Sequence, residues 1–101
     1  MTPPERAASF RRIVAEGAVQ GVGYREFTRR AALRLNVSGW VRNRSDGAVE
    51  AMARGQPAAL EALVAAMREG PRFAVVERLS ITEPADPSDD DGETFVIRPT
   101  V

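Results

Sequence analysis

The sequence predicts an α+β fold, a sandwich in which two helices cover one face of a mainly antiparallel sheet. Three observations predict it. Two stretches carry apolar residues at three- and four-residue steps, several short runs alternate apolar and polar residues, and turn residues separate them in the order strand, helix, strand, strand, helix, strand. With 101 residues, 44% of them apolar and 28% charged, the chain can bury one core but not a second. We expect a flexible tail over 1–9 and a single domain over 10–101.

Met1 to Ser9 is polar and holds Pro3 and Pro4, the composition of a loose terminus. Phe10 to Gly17 reads as a strand, with Ile13 and Ala15 on one face and Val14 on the other. Tyr24 to Leu35 reads as a helix whose apolar stripe is Tyr24, Phe27, Ala31 and Leu35. Glu26 precedes Arg30 by one turn in the favourable direction. Asn36 stands where a helix end needs a left-handed residue. Val37 to Asn43 and Ala48 to Arg54 are two further strands, joined by a hairpin loop of Arg44, Ser45, Asp46 and Gly47.

Gly55, Gln56 and Pro57 break the chain, and the proline suits the first turn of a second helix. That helix runs to about Glu69, with Leu60, Leu63, Val64 and Met67 inward, and Gly70 and Pro71 stop it. Val75 to Glu83 is a fourth strand. Strict alternation from Val75 would turn Glu77 inward, so we expect irregular backbone near Glu77 and burial of Val76, Leu79 and Ile81. Pro84 to Glu93 is an acidic loop; a calcium loop is the alternative, but its alternating acids fail at Pro87, and a solvated, mobile loop is the reading adopted. Thr94 to Arg98 is a short last strand with Phe95 and Ile97 on one side. This order is the split βαβ, or ferredoxin-like, plan: βαββαβ plus a short terminal strand.

Composition removes several chemistries. The chain has no Cys and no His, and all 14 basic residues are Arg, so thiol nucleophiles, Ser-His-Asp relays, zinc sites and Schiff-base lysines are excluded or disfavoured. No long apolar run and no signal-peptide pattern is present, so the expected location is cytoplasmic, with no membrane partner. Net charge is zero but uneven: residues 1–55 carry +5 and residues 56–101 carry −5. The first half therefore presents a field that attracts anions, although an Arg-rich, Lys-free chain also follows from base composition alone.

One stretch gives that field a focus. Gly17 to Arg25 reads G-A-V-Q-G-V-G-Y-R, ending a strand and opening directly into a helix. Glycines let the main chain approach a ligand closely, and a helix N-terminus offers unpaired N–H groups and a positive dipole end. The backbone of Gln20, Gly21, Val22, Gly23, Tyr24 and Arg25 is thus the expected phosphate-binding segment. Arg25 lies in the first helical turn, where the dipole disfavours a cation; a bound anion would convert that penalty into a gain.

Asn43 ends the second strand, and its amide offers a donor and an acceptor together. It can hold a water molecule without ionising it. No general acid or base is in view, and without one a leaving group must depart unprotonated. A carboxylate can do so; an alkoxide cannot. Taken singly, an Asn before a hairpin is more often a turn residue, and a glycine-rich strand-to-helix junction is often only a tight turn.

Together, G-A-V-Q-G-V-G-Y-R (Gly17 to Arg25) and G-W-V-R-N-R-S-D-G-A-V-E-A-M-A-R-G (Gly39 to Gly55) resemble the two signature motifs of the acylphosphatase family, in order and spacing. The resemblance extends over nearly the whole chain. It implies a ferredoxin-like α/β sandwich and hydrolysis of carboxyl-phosphate bonds without a cofactor or metal. By position, it implies that Arg25 binds the phosphoryl oxygens and Asn43 orients the attacking water. Some members carry Thr after the catalytic Asn; this chain has Arg44, with Ser45 as a substitute support. The rival readings are a non-catalytic anion or carbamoyl-phosphate binding module on the same fold, and an RNA-binding domain, which would need stacking aromatics on the central strands, where Ala48 to Arg54 contains none. The expected partners are a small acyl phosphate and inorganic phosphate, with no nucleic acid, for a protein that acts as a monomer.

Overall fold

The computed structural model describes residues 8–83 and 94–101. The expectations for most of the tail and for the acidic loop over 84–93 lie outside the described residues. Seven elements follow one another: β1 (Ser9–Ala18), α1 (Tyr24–Arg34), β2 (Ser38–Asn43), β3 (Val49–Gly55), α2 (Pro57–Glu69), β4 (Val75–Thr82) and β5 (Phe95–Ile97). They form a five-stranded sheet in the order β4-β1-β3-β2-β5. Pairing is antiparallel except at one edge, where β5 runs parallel to β2.

Both helices pack on one face. Ile13, Ala15, Val41, Val49, Ala51, Ala53 and Phe95 from the sheet join Tyr24, Ala31, Ala32, Leu60, Leu63 and Met67 from the helices in one buried core. α2 buries the predicted stripe, with Val64 half-buried at its margin, and Pro57 begins it. α1 ends as expected. Asn36 has φ 59°, and the N–H groups of Asn36 and Val37 donate to the carbonyls of Leu33 and Ala32 at 3.2 and 2.8 Å, closing the helix with a Schellman motif.

Three expectations need correction. The inward stripe of α1 is Tyr24, Thr28, Ala31 and Ala32 rather than Tyr24, Phe27, Ala31 and Leu35. Thr28 can be buried because its hydroxyl donates to the Tyr24 carbonyl at 2.9 Å, which removes the desolvation penalty; Phe27 and Leu35 lie half-buried at the flank. The β1–β4 register does slip beside Glu77: Glu16 pairs with Arg78 and Gly17 with Val76. Val76 and Leu79 reach the core margin, but Ile81 is exposed, because on the edge strand β4 it borders an open cleft against Leu60 and Val64 of α2 instead of closing on them. Gly17 belongs to this slip rather than to the glycine turn that precedes α1. Its φ is 126°, and a Cβ there would collide with the Val75 carbonyl oxygen.

β3 is buried on both faces from Val49 to Ala53. On the side away from the helices, Glu50 is 3% exposed and is held by Arg12 and Arg42. Arg42 and Arg98 also stack over the Trp40 ring at 4.4 and 4.9 Å, a cation–π arrangement. No helix among the described residues is long and apolar enough to cross a membrane.

The core predicts a clear stability effect. Leu63 is fully buried between α2 and the sheet, so Leu63→Ala should lower unfolding free energy by about 3 kcal/mol, read as an earlier urea midpoint at unchanged m-value.

Candidate active site

Register brings the site together. Val49 of β3 pairs with Ala15 of β1 on one side and with Asn43 of β2 on the other. Asn43 therefore lies two strands from β1, about 10 Å across the sheet, at the edge where β1 ends. The chain leaving β1 after Ala18 turns towards it over the start of β3 before α1 begins. The result is a pocket of about 200 Å³ lined by Val19, Gly21, Gly23, Tyr24, Arg25, Glu26, Asn43 and Ile97.

The floor of this pocket is main chain. Gly21 and Gly23 have φ of 75° and 80°, a left-handed conformation that glycine adopts without strain, and a Cβ on either would meet no atom within 4 Å. Gly23 is the N-cap of α1, with no side-chain cap. The helical ladder opens with the Phe27 N–H donating to the Gly23 carbonyl at 3.0 Å, so the N–H groups of Tyr24, Arg25 and Glu26 lie ahead of it as first-turn donors. Tyr24 fixes where the helix starts. Its side chain is 1% exposed, and its hydroxyl donates to the Met67 carbonyl in the last turn of α2 at 2.6 Å. Burial pushes the Tyr24 phenol well above its ordinary range, so it stays neutral.

Arg25 is half-buried, and no acid pairs with it among the described residues. Several other arginines of the basic half have carboxylate partners: Arg11 has Glu83, Arg12 and Arg42 share Glu50, Arg29 and Arg30 share Glu26, and Arg44 has Asp46. Arg25 thus borders the pocket with its guanidinium not engaged by a carboxylate of the described residues. Asn43 is also half-buried, and among the described residues its carboxamide makes no side-chain hydrogen bond. Its backbone is held instead, since the Asn43 carbonyl accepts from the Val101 N–H at 3.2 Å.

Of the predicted phosphate-binding residues, Gly21, Gly23, Tyr24 and Arg25 line the pocket with Asn43. Val22 and Gln20 do not. Val22 packs against the core, and the Gln20 amide donates to the Arg44 and Ala48 carbonyls at 2.8 and 2.9 Å. The Ser45 hydroxyl is likewise not a support for the Asn43 side chain; it donates to the Val101 carbonyl at 2.6 Å. Arg44 turns to Asp46 at 2.6 Å. Asp46 accepts from the Ala48 N–H and from Arg44, which hold its carboxyl below the usual range.

Three lining residues escaped sequence reasoning. Val19 is an ordinary apolar residue in the turn. Ile97 reaches the pocket only because β5 pairs beside β2. Glu26 had a signal, the spacing to Arg30, but its place on the pocket wall had none. Arg29 donates two hydrogen bonds to the Glu26 carboxylate at 2.8 and 2.7 Å and Arg30 one at 2.8 Å. These bonds, Arg29 first and Arg30 second, lower the Glu26 pKa to about 2. Glu26 is therefore an ionised, neutralised wall of the pocket and not a proton donor at neutral pH.

Fold and pocket together define a small α+β domain that presents a cation, a free amide and helix N-terminal donors at a strand-to-helix turn. Residues 11–97 match the family model for acylphosphatase. The acylphosphatase of Nitrobacter hamburgensis is 47% identical over 94 residues, 90% of this chain and 95% of that protein. Among solved structures, acylphosphatase from Bacillus subtilis superimposes with a TM-score of 0.81 at 38% identity, covering 88% of this chain and 97% of that one. An acylphosphatase from Coxiella burnetii gives 0.84 at 34% identity, covering 97% and 100%. The chain belongs to the acylphosphatase family, hydrolases that act on acyl phosphates.

The Glu26 wall is testable. Because its folded pKa is depressed, its favourable pairing is complete above the ordinary range near 4.5 and is lost only as pH falls towards 2; carboxyl-detected NMR should show no Glu26 titration around neutrality. Glu26→Gln removes one negative charge beside the pocket and should tighten inhibition by inorganic phosphate by roughly threefold at low salt, the gain shrinking as ionic strength rises.

Proposed function

We propose that this pocket hydrolyses the carboxyl-phosphate bond of small acyl phosphates, with Arg25 holding the phosphoryl group and Asn43 positioning the attacking water. One observation carries the reading: a guanidinium from α1 and a carboxamide from the end of β2, neither paired with another side chain among the described residues, border one small pocket whose floor is the uncapped start of α1. The phosphoryl oxygens take two parallel charge-assisted hydrogen bonds from Arg25 and further bonds from main-chain N–H groups of Gly21, Gly23, Tyr24 and Arg25, which line the pocket. Water held by Asn43 attacks phosphorus as the bond to the acyl oxygen breaks, giving a carboxylate and inorganic phosphate.

Chemistry at the pocket wall supports this choice of substrate. Glu26 is ionised and Tyr24 is neutral with its proton committed to Met67, so neither protonates a leaving group near neutrality. A carboxylate leaves without a proton, whereas an alkoxide does not. Catalysis then rests on orientation and on stabilising the phosphoryl charge, which is sufficient for phosphoryl transfer. The same reading takes the protein as a cytoplasmic monomer that acts on free acyl phosphates. Trp40, on the sheet's outer face, is 1% exposed and lies under two arginines, so its ring offers no open platform for bases.

Two substitutions separate the roles. Arg25→Gln should weaken phosphate inhibition and cut turnover by about 10³-fold or more; an unchanged phosphate affinity would remove Arg25 from the site. Asn43→Ala should lower kcat by about 10²-fold with phosphate inhibition nearly intact. With EDTA present, benzoyl phosphate should be hydrolysed rapidly and p-nitrophenyl phosphate hardly at all. Phosphate binding without turnover of either compound would favour a non-catalytic binding module.

A further inference from the structure

We infer that the Gln20 side chain is a positioning residue, a fork that sets the distance between the phosphoryl-binding turn and Asn43. The inference rests on the water-positioning role proposed for Asn43 and adds what holds that residue in place. Gln20 belongs to the anion turn by sequence, yet its side chain leaves the turn and crosses to the β2–β3 connection. There Nε2 donates both its protons, one to the Arg44 carbonyl at 2.8 Å and one to the Ala48 carbonyl at 2.9 Å.

Those two carbonyls close the connection. The Arg44 N–H donates to the Ala48 carbonyl at 2.8 Å, and the Gly47 N–H to the Arg44 carbonyl at 3.1 Å. Arg44 directly follows Asn43, and Ala48 directly precedes Val49, the pairing partner of Asn43. The fork therefore grips both strands of the hairpin one residue beyond Asn43. Its other end is the residue before Gly21, where the pocket floor begins.

The arrangement suits an amide and little else. A primary amide supplies two donors from one planar nitrogen, which matches the two carbonyl oxygens at the ends of the β2–β3 connection. A carboxylate would face both oxygens with negative charge, and an apolar side chain of the same length would leave both without this donor. A displacement of the order of 1 Å between reacting groups can lower a rate about 10²-fold, so a fork joining the phosphoryl site to the water site controls turnover without touching substrate.

The test is a double-mutant cycle with benzoyl phosphate. Gln20→Met keeps the backbone and side-chain length; it should lower kcat by about 10-fold or more, while phosphate inhibition changes less than about twofold and the protein stays folded by circular dichroism. Introduced into Asn43→Ala, the same change should have almost no further effect on kcat, because the group it positions is gone. Equal losses in the two backgrounds, or a parallel loss of phosphate affinity, would show that Gln20 acts through the turn itself or through general stability, and would overturn the inference. An Asn43→Ala protein with undiminished kcat would instead refute the water-positioning role, and the inference with it.

Discussion

Val49 pairs with Ala15 on one side and Asn43 on the other, and this double pairing of β3 is the constraint on which the rest of the site depends. Antiparallel pairing on both flanks makes β1 and β2 run the same way, so both end at one rim of the sheet. A slip of one residue in either ladder would reverse which face Asn43 presents. The register is in turn secured by burial. Val49, Ala51 and Ala53 face the helices, while Glu50 lies between Arg12 and Arg42 on the opposite face. A strand closed in on both sides has no low-energy alternative pairing.

The helices act on the site through Tyr24. Its ring fills the junction of α1 and α2, and its hydroxyl bond to Met67 ties the first residue of α1 to the last turn of α2. Arg25 follows directly and inherits that placement. A cation in the first turn opposes the helix dipole, and Glu26 offsets part of this while binding Arg29 and Arg30. Among the described residues the Glu26 carboxylate is thus taken up by Arg29 and Arg30, and the Arg25 guanidinium is left without a carboxylate of its own at the mouth of the turn.

Much of this was legible in the sequence because it depends on local chemistry. The glycine turn, the misfit of Arg25 in its helix, the left-handed Asn36 and the position of Asn43 at a strand end each follow from a few adjacent residues. What was not legible depends on contacts distant in the chain. The parallel pairing of β5 that brings Ile97 to the pocket joins residues far apart through a three-residue strand. Burial of Glu50 needs Arg12 from another strand. The inward position of Thr28 reverses its usual preference because the hydroxyl finds a carbonyl within its own helix. Gln20 was placed in the turn correctly, but the direction of its side chain is a tertiary fact.

The composition of the pocket lining has a chemical consequence of its own. An acyl phosphate is an acylating agent, and amines, thiols and imidazoles are the side chains it modifies. The chain contains no Lys, Cys or His, and the pocket is bordered by a guanidinium, a carboxamide, backbone amides and aliphatic carbon, together with Tyr24, whose hydroxyl is bonded to Met67, and Glu26, whose carboxylate is held by Arg29 and Arg30. Arginine remains protonated throughout the accessible pH range and so has no free electron pair to offer the carbonyl carbon. No amine, thiol or imidazole side chain is thus present to attack the carbonyl carbon, which on the proposed reading leaves phosphorus to water.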